Sequence, residues 1–342
     1  MGDVRQTVKQ SVPVDVNKPY DPSTLKDKTI LITGGANGLG AHMVRHWAAH
    51  GANIIVGDVA DRAGEELVAS LRMAYPKGVF EFRHCDVTNW ESQVGLFEAA
   101  IQISPYGSVD IVVPNAGIIL PAEATKFENP DFVNGKIPEP NTATLDVNVR
   151  GVIYTSHLAL YYLPRNKRPD RCLLFVGSVA SIIPLPGQSQ YSMSKHAILG
   201  LFRSLRGTAF LKDIRINMIA PYYTAQTKML QATTEALLLA GSAGPGQVPD
   251  VIDAATRLIA DETVAGRALV IGPRLKPYDA ENLDLVNGGE AVEGQAVWEC
   301  YAHDYDQVET FVKRYLWLLN AAAKARGMLA WIRDILAIWK RS

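Results

Sequence analysis

Tyr191-Ser192-Met193-Ser194-Lys195 opens a stretch of helical periodicity, and a spacing of four sets the phenol and the ammonium on one helix face. A cation beside a phenol favours the phenolate, drawing a pKa of about 10 down towards the working range of a general base. Tyr-x-x-x-Lys also occurs on ordinary solvated helix faces, so the pair needs company. Ser178 supplies some, lying just past the fifth apolar run, where its hydroxyl can hold a substrate oxygen. Taken singly, it is a turn serine. Asn148, within LDVNVRG, falls mid-helix, where Asn is a mildly poor helix former and implies a local backbone or water contact.

A second constellation binds rather than reacts. Thr33-Gly34-Gly35-Ala36-Asn37-Gly38-Leu39-Gly40 directly follows the first strand and opens the first helix. Glycines there let the chain turn tightly and approach a pyrophosphate, while free N–H groups and the helix dipole favour its charge. Asp58 closes the second strand, where a carboxylate can accept from both ribose hydroxyls and repel a 2′-phosphate. No Lys or Arg follows at once, the nearest being Arg62, so NAD is favoured over NADP. The same Asp58 also suits an N-cap of the next helix, which leaves its spacing from the turn unexplained.

These residues need a frame. TILIT (29–33), NIIVGD (53–58), VFEFRHCD (79–86), DIVVPNAG (110–117), RCLLFVGS (171–178), RINMIAP (215–221) and RALVIG (267–272) read as strands, mostly continuously apolar as in a parallel sheet buried on both faces. Helix patterns fill the gaps at 40–50, 63–74, 90–103, 143–163, 191–211 and 248–260. The expected fold is α/β, a doubly wound, Rossmann-type, seven-stranded parallel sheet with a C-terminal helical extension. Its parts are an N-terminal arm (1–27), a dinucleotide-binding catalytic domain (28–272) and the extension (273–342). Two stretches break the rhythm, 120–142 and 222–247. Both follow strands and so lie over the crevice, and 222–247 is expected to be a substrate lid.

With 342 residues and 48% apolar content the chain can bury a full core, and its net charge of −1 gives no global field for nucleic acid. Three scattered cysteines, Cys85, Cys172 and Cys300, suit neither a disulfide framework nor a zinc site. No secretory signal or run of about 18 apolar residues is present, so the expected setting is cytoplasmic.

In combination, Thr33, Gly34, Gly38 and Gly40, then Asn115-Ala116-Gly117, Asn148, Ser178 and Tyr191-x-x-x-Lys195 resemble the classical short-chain dehydrogenases/reductases over roughly residues 26–272. The chain also looks similar to the NAD-using 15-hydroxyprostaglandin dehydrogenase branch and to fungal relatives. The resemblance implies a catalytic tetrad of Asn148, Ser178, Tyr191 and Lys195, with Asn148 holding a water that links Lys195 to solvent. It implies that Asp86 and Val87 contact the adenine, and that Asn115, Ala116, Gly117 and Pro221 border the cofactor. Gln188 and Tyr222 join Ser178 and Tyr191 on the substrate side. Tyr222 departs from the family pattern, which has Gly after this Pro. Thr224 and Thr227 are both candidates for the hydroxyl that bonds the carboxamide.

The family does not predict the tail. Residues 273–304 read as irregular and 305–340 as helix, interrupted near Gly327, with Ala325, Met328, Ile332, Ile335, Leu336 and Trp339 on one face and Arg326, Arg333 and Lys340 on another. Such a helix either packs on its own domain or a partner subunit, or lies on a membrane surface. The expected activity is NAD-dependent oxidation of a secondary alcohol on an apolar small molecule of terpenoid, polyketide, steroid or lipid type, by a homodimer or homotetramer. The rivals are a ketone reductase running the same tetrad backwards, and a catalytically silent, membrane-associated dinucleotide-binding protein.

Overall fold

The computed structural model describes residues 8–183, 185–224, 244–275, 294–305 and 310–339. Among the described residues eight strands form one sheet: β1 (Thr29–Thr33), β2 (Asn53–Asp58), β3 (Phe80–His84), β4 (Ile111–Pro114), β5 (Cys172–Val176), β6 (Arg215–Pro221), β7 (Ala268–Leu275) and β8 (Gln295–Cys300). Their order is β3-β2-β1-β4-β5-β6-β7-β8, parallel throughout except for β8, which runs antiparallel to β7. The order reverses between β1 and β4, where an open sheet has its ligand crevice at the carboxyl ends.

Every residue of β1, β4, β5 and β6 is buried, as the unbroken apolar runs require. Alternate side chains feed two cores. Ile30, Ile32 and Leu174 pack with α1 (Gly38–Ala49), α2 (Asp61–Ala74) and, later in the chain, the helix Val248–Ala260. Leu31, Leu173 and Phe175 pack on the other face with α3 (Trp90–Ile103) and with two helices described below.

Several expectations need correction. The sheet has eight strands rather than seven, because QAVWEC, read as irregular, adds to the free edge of β7 from Ala268↔Cys300 to Leu275↔Gln295. Its Val297 and Cys300 reach opposite cores, so its pattern is that of a partly covered edge strand. The Pro- and Asn-rich stretch 120–142 holds a helix, α4 (Pro121–Glu128), started by a proline in its first turn. The helix expected over 143–163 is three pieces: a short turn Ala143–Leu145, a π-helical turn Asp146–Gly151, and α5 (Val152–Tyr162). The next, α6 (Ser189–Leu205), stops short of 211. Gly207, just beyond it, lies under Leu316 and Tyr305 of the tail.

Then follow α7 (Val248–Ala260) and α8 (Thr310–Trp339), which runs unbroken through Gly327. Of the residues expected on its apolar face, Ile332, Ile335, Leu336 and Trp339 have side chains outside the described ones. Leu316, Leu319 and Asn320 turn towards the domain, while Phe311, Trp317, Leu318 and Met328 are exposed. No helix among the described residues is long and apolar enough to cross a membrane.

The arm is more than a surface strap. Leu25 is fully buried, Ser11 N donates to Ala265 O, Val14 N to Glu299 Oε2, and Thr24 Oγ1 to Ala260 O, stitching the arm to α7, β8 and the turn before β7. Most of the expected lid, with Thr227, lies outside the described residues. Its two ends meet in a parallel bridge between Thr224 and Gly246.

Candidate functional site

The phosphate turn is built by close backbone approach. Gly34 has φ +65°, and a Cβ there would fall 2.6 Å from Ala116 Cα. A Cβ on Gly40 would fall 2.2 Å from Gly34 O and 2.7 Å from Asn115 Nδ2. Asn115 Nδ2 donates to Thr33 O and Gly34 O at 3.0 and 2.7 Å, and Ala116 N donates to Thr33 Oγ1, so the ends of β1 and β4 hold the turn in shape. Asn37 is the N-cap residue of α1 yet makes no side-chain capping bond, which leaves the amides of Gly38, Leu39 and Gly40 facing the crevice without that partner. Glycine contacts and open helix amides together form a cradle that fits a pyrophosphate.

Asp58, at the end of β2, accepts from Ala36 N through Oδ2 and from Ala60 N through Oδ1, both at 3.0 Å. It therefore ties the turn to the start of α2 while setting negative charge beside it. Val87 is buried, whereas Asp86 spends its Oδ1 on Thr88 N and Oγ1 at 2.9 and 2.8 Å, which shapes the loop after β3.

The reacting groups converge at the carboxyl ends of β4, β5 and β6. Ser178 N-caps a single turn (Val179–Ser181), its Oγ accepting from Ala180 N at 3.2 Å and lying 3.4 Å from Pro221 O. Ser181 returns the favour by accepting from Ser178 N at 3.1 Å. The serine is thus fixed by its own cap, and Tyr191, in the first turn of α6, is buried like it. Asn148 is wholly buried in the π-turn, with Oδ1 accepting from Ile118 N at 2.8 Å and Nδ2 donating to Ile118 O and Ser194 Oγ at 2.9 and 3.0 Å. The contact is to backbone, but not the local one expected of an Asn in mid-helix, since Ile118 lies 30 residues away in the chain.

Ser194 was not singled out by sequence, although it sits inside the Tyr-to-Lys interval. Its hydroxyl donates to Tyr191 O at 2.7 Å while accepting from Asn148, and so joins α6 to the π-turn. Lys195 Nζ donates to Val176 O at 3.2 Å and lies 5.6 Å from the Tyr191 ring centre. Burial holds the Lys195 pKa down at about 8. Burial pushes the Tyr191 phenol up, and the Ser178 hydrogen bond draws it part of the way back. Removal from water is the larger of these two influences on the phenol.

On the substrate side, Gln188 precedes α6 with its Oε1 buried and without a protein partner, and Tyr222 is half-buried, its N donating to Ile271 O at 2.7 Å. Thr224 Oγ1 donates to Tyr222 O at 2.9 Å, which engages the candidate carboxamide hydroxyl with its own loop.

The family model described as short chain dehydrogenase matches residues 28–238. The chain is 30% identical over 272 residues to a 5'-hydroxyaverantin dehydrogenase of Dothistroma septosporum, covering 75% of this chain and 88% of that protein. It is 32% identical over 276 residues to 5'-hydroxyaverantin dehydrogenase stcG of Emericella nidulans, covering 74% and 87%. It is likewise 32% identical over 303 residues to the NADP-dependent dehydrogenase M3 of a Phoma species, covering 82% and 86%. A Rossmann-type sheet, a glycine cradle at its reversal point and a buried Asn-Ser-Tyr-Lys group at the same edge agree with these matches, and the chain belongs to the short-chain dehydrogenases, oxidoreductases that bind a nicotinamide dinucleotide.

Proposed function

We propose that the protein oxidises a secondary alcohol on an apolar secondary metabolite of terpenoid, polyketide, steroid or lipid type, with NAD as acceptor. The carrying observation is that Tyr191, Ser178, Asn148 and Lys195 are buried together at one sheet edge, with the Lys195 ammonium donating to the Val176 carbonyl. Ser178 holds the alcohol oxygen and Tyr191 takes its proton. Lys195 steadies the phenolate and binds the nicotinamide ribose, while Asn148 orders the turn and the water beside Lys195. A bound dinucleotide supplies the acceptor for the hydride that leaves the carbinol carbon. The cradle at Gly34 and Gly40 would hold its pyrophosphate, and Asp58 its adenosine ribose.

Two relatives are named for hydroxyaverantin, a substrate of theirs that supports the secondary-metabolite reading. The motif spacing supports a place beside the 15-hydroxyprostaglandin dehydrogenase-like branch. Exposed Ile153 and Tyr161 on α5 and Met193 on α6 support assembly of at least a dimer through these two helices. A second reading, NADPH-dependent ketone reduction, is favoured by relatives named NADP-dependent. Titration with NAD and NADP separates the two. The Asp58 carboxylate predicts tighter NAD binding that Asp58→Ala erodes, followed by NADH formation across a panel of apolar secondary alcohols. Tighter NADP binding by the unaltered protein would overturn the cofactor assignment.

A further inference from the structure

Behind the tetrad lies a buried amide that the reaction does not use. Gln93, on α3, is wholly buried, and its Nε2 donates to Val87 O at 2.6 Å and to Gly151 O at 2.9 Å. Its Oε1 accepts from Thr155 Oγ1 at 2.7 Å. The two carbonyls fix the orientation of the amide, because the flipped form would set oxygen against oxygen. Thr155 Oγ1 also lies 2.9 Å from Gly151 O. Its single proton goes to Gln93, since two oxygens 2.7 Å apart need a proton between them and Oε1 carries none.

These partners belong to separate parts of the site. Val87 follows Asp86 in the loop after β3, on the side where the adenine would sit. Gly151 closes the π-turn that presents Asn148, and a Cβ there would come within 2.7 Å of Val87 Cγ2. Among the described residues no backbone hydrogen bond joins the two segments, so this packing and the Gln93 amide carry the connection.

We propose that Gln93, held by Thr155, is a positioning residue that fastens the adenine-side wall at Asp86 and Val87 to the turn carrying Asn148, so that filling the adenine half orders the catalytic turn. The proposal rests on the dinucleotide reading of the site. ADP-ribose, which has the adenine half and lacks the nicotinamide, is the probe, and hydrogen exchange is the readout. In the unaltered protein ADP-ribose slows exchange across 146–151 by about tenfold, the usual scale of coupling between sites. In Gln93→Met and in Thr155→Val it protects 34–40 as before but leaves 146–151 nearly unchanged, and Thr155→Ser restores the effect. Equal protection of 146–151 in the variants overturns the proposal, as does protection of 34–40 alone in the unaltered protein. If ADP-ribose fails to bind the unaltered protein, the dinucleotide reading falls and this proposal with it.

Discussion

Two lysines are buried at opposite ends of the same sheet, and their surroundings differ in one respect. At the amino ends, Lys28 Nζ lies 2.7 Å from Asp170 and 2.8 Å from Glu262, and Arg215 grips Asp170 through Nε at 2.6 Å and Nη2 at 3.0 Å. Burial alone would raise the Asp170 pKa, but the bonds and charges of Arg215 and Lys28 prevail and hold it below the usual range. At the carboxyl ends, Lys195 donates to the Val176 carbonyl, no carboxylate among the described residues pairs with it, and burial brings it down to about 8. Paired charge fastens strand ends together. Charge without a carboxylate partner is kept where a reaction needs it, at the expense of stability.

The largest expected effect comes from Lys195→Met. It lowers kcat for alcohol oxidation by about 1,000-fold or more, yet it stabilises the fold. The native Lys195 pKa lies below the unfolded 10.5, so at pH 7 the ammonium favours the unfolded chain, and that penalty fades as pH rises from about 8 towards 10.5. Removing the charge therefore raises unfolding free energy at pH 7 by up to about 3 kcal/mol, read by urea titration. A destabilised Lys195→Met protein would break the comparison. Asp170→Ala is its mirror, leaving Lys28 and Arg215 buried without their shared carboxylate. It lowers stability by about 3–5 kcal/mol and leaves kcat of the folded fraction unchanged. A smaller effect follows from Ser194→Ala, which strips an acceptor from the buried Asn148 amide. Stability falls by about 1–3 kcal/mol and, unlike Asp170→Ala, kcat falls as well.

Much of this contrast was legible in the sequence, but unevenly. The catalytic end was readable because its chemistry depends on intervals within one chain segment: Tyr191 to Lys195 is one helical turn, and Gly34 to Gly40 one strand-to-helix turn. The apolar runs gave β1, β2, β6, α3 and α7 almost to the residue, since burial on both faces leaves little choice of composition. The amino end was unreadable. Lys28, Asp170, Arg215 and Glu262 are far apart in the chain, and each alone looks like a surface charge until the parallel register brings them together. The eighth strand escaped for a related reason: an edge strand is ordered by its neighbour's open hydrogen-bonding edge, which QAVWEC does not announce. The π-turn at 146–151 hid inside a good helix pattern, and only the misplaced Asn148 pointed to it.

The finest test concerns how the dry end sets its proton affinities. Oxidation requires a Tyr191 phenolate beside a charged Lys195; with the phenol above its ordinary value and Lys195 near 8 that form is a minor one, so kcat/KM climbs to about pH 8, levels off, and falls only as the phenol itself titrates. The two groups share a site, so the limbs report the pair. Burial raises the phenol's affinity for its proton and the Ser178 hydrogen bond lowers it. Ser178→Ala removes the lowering influence alone, and the descending limb moves to higher pH by roughly one unit, the scale of one hydrogen bond. The rising limb stays near pH 8, because Lys195 is held down by burial alone. If both limbs move together, Ser178 acts through the shape of the pocket, and the separation drawn here between a phenol tuned by a neighbour and an ammonium tuned by dryness does not hold.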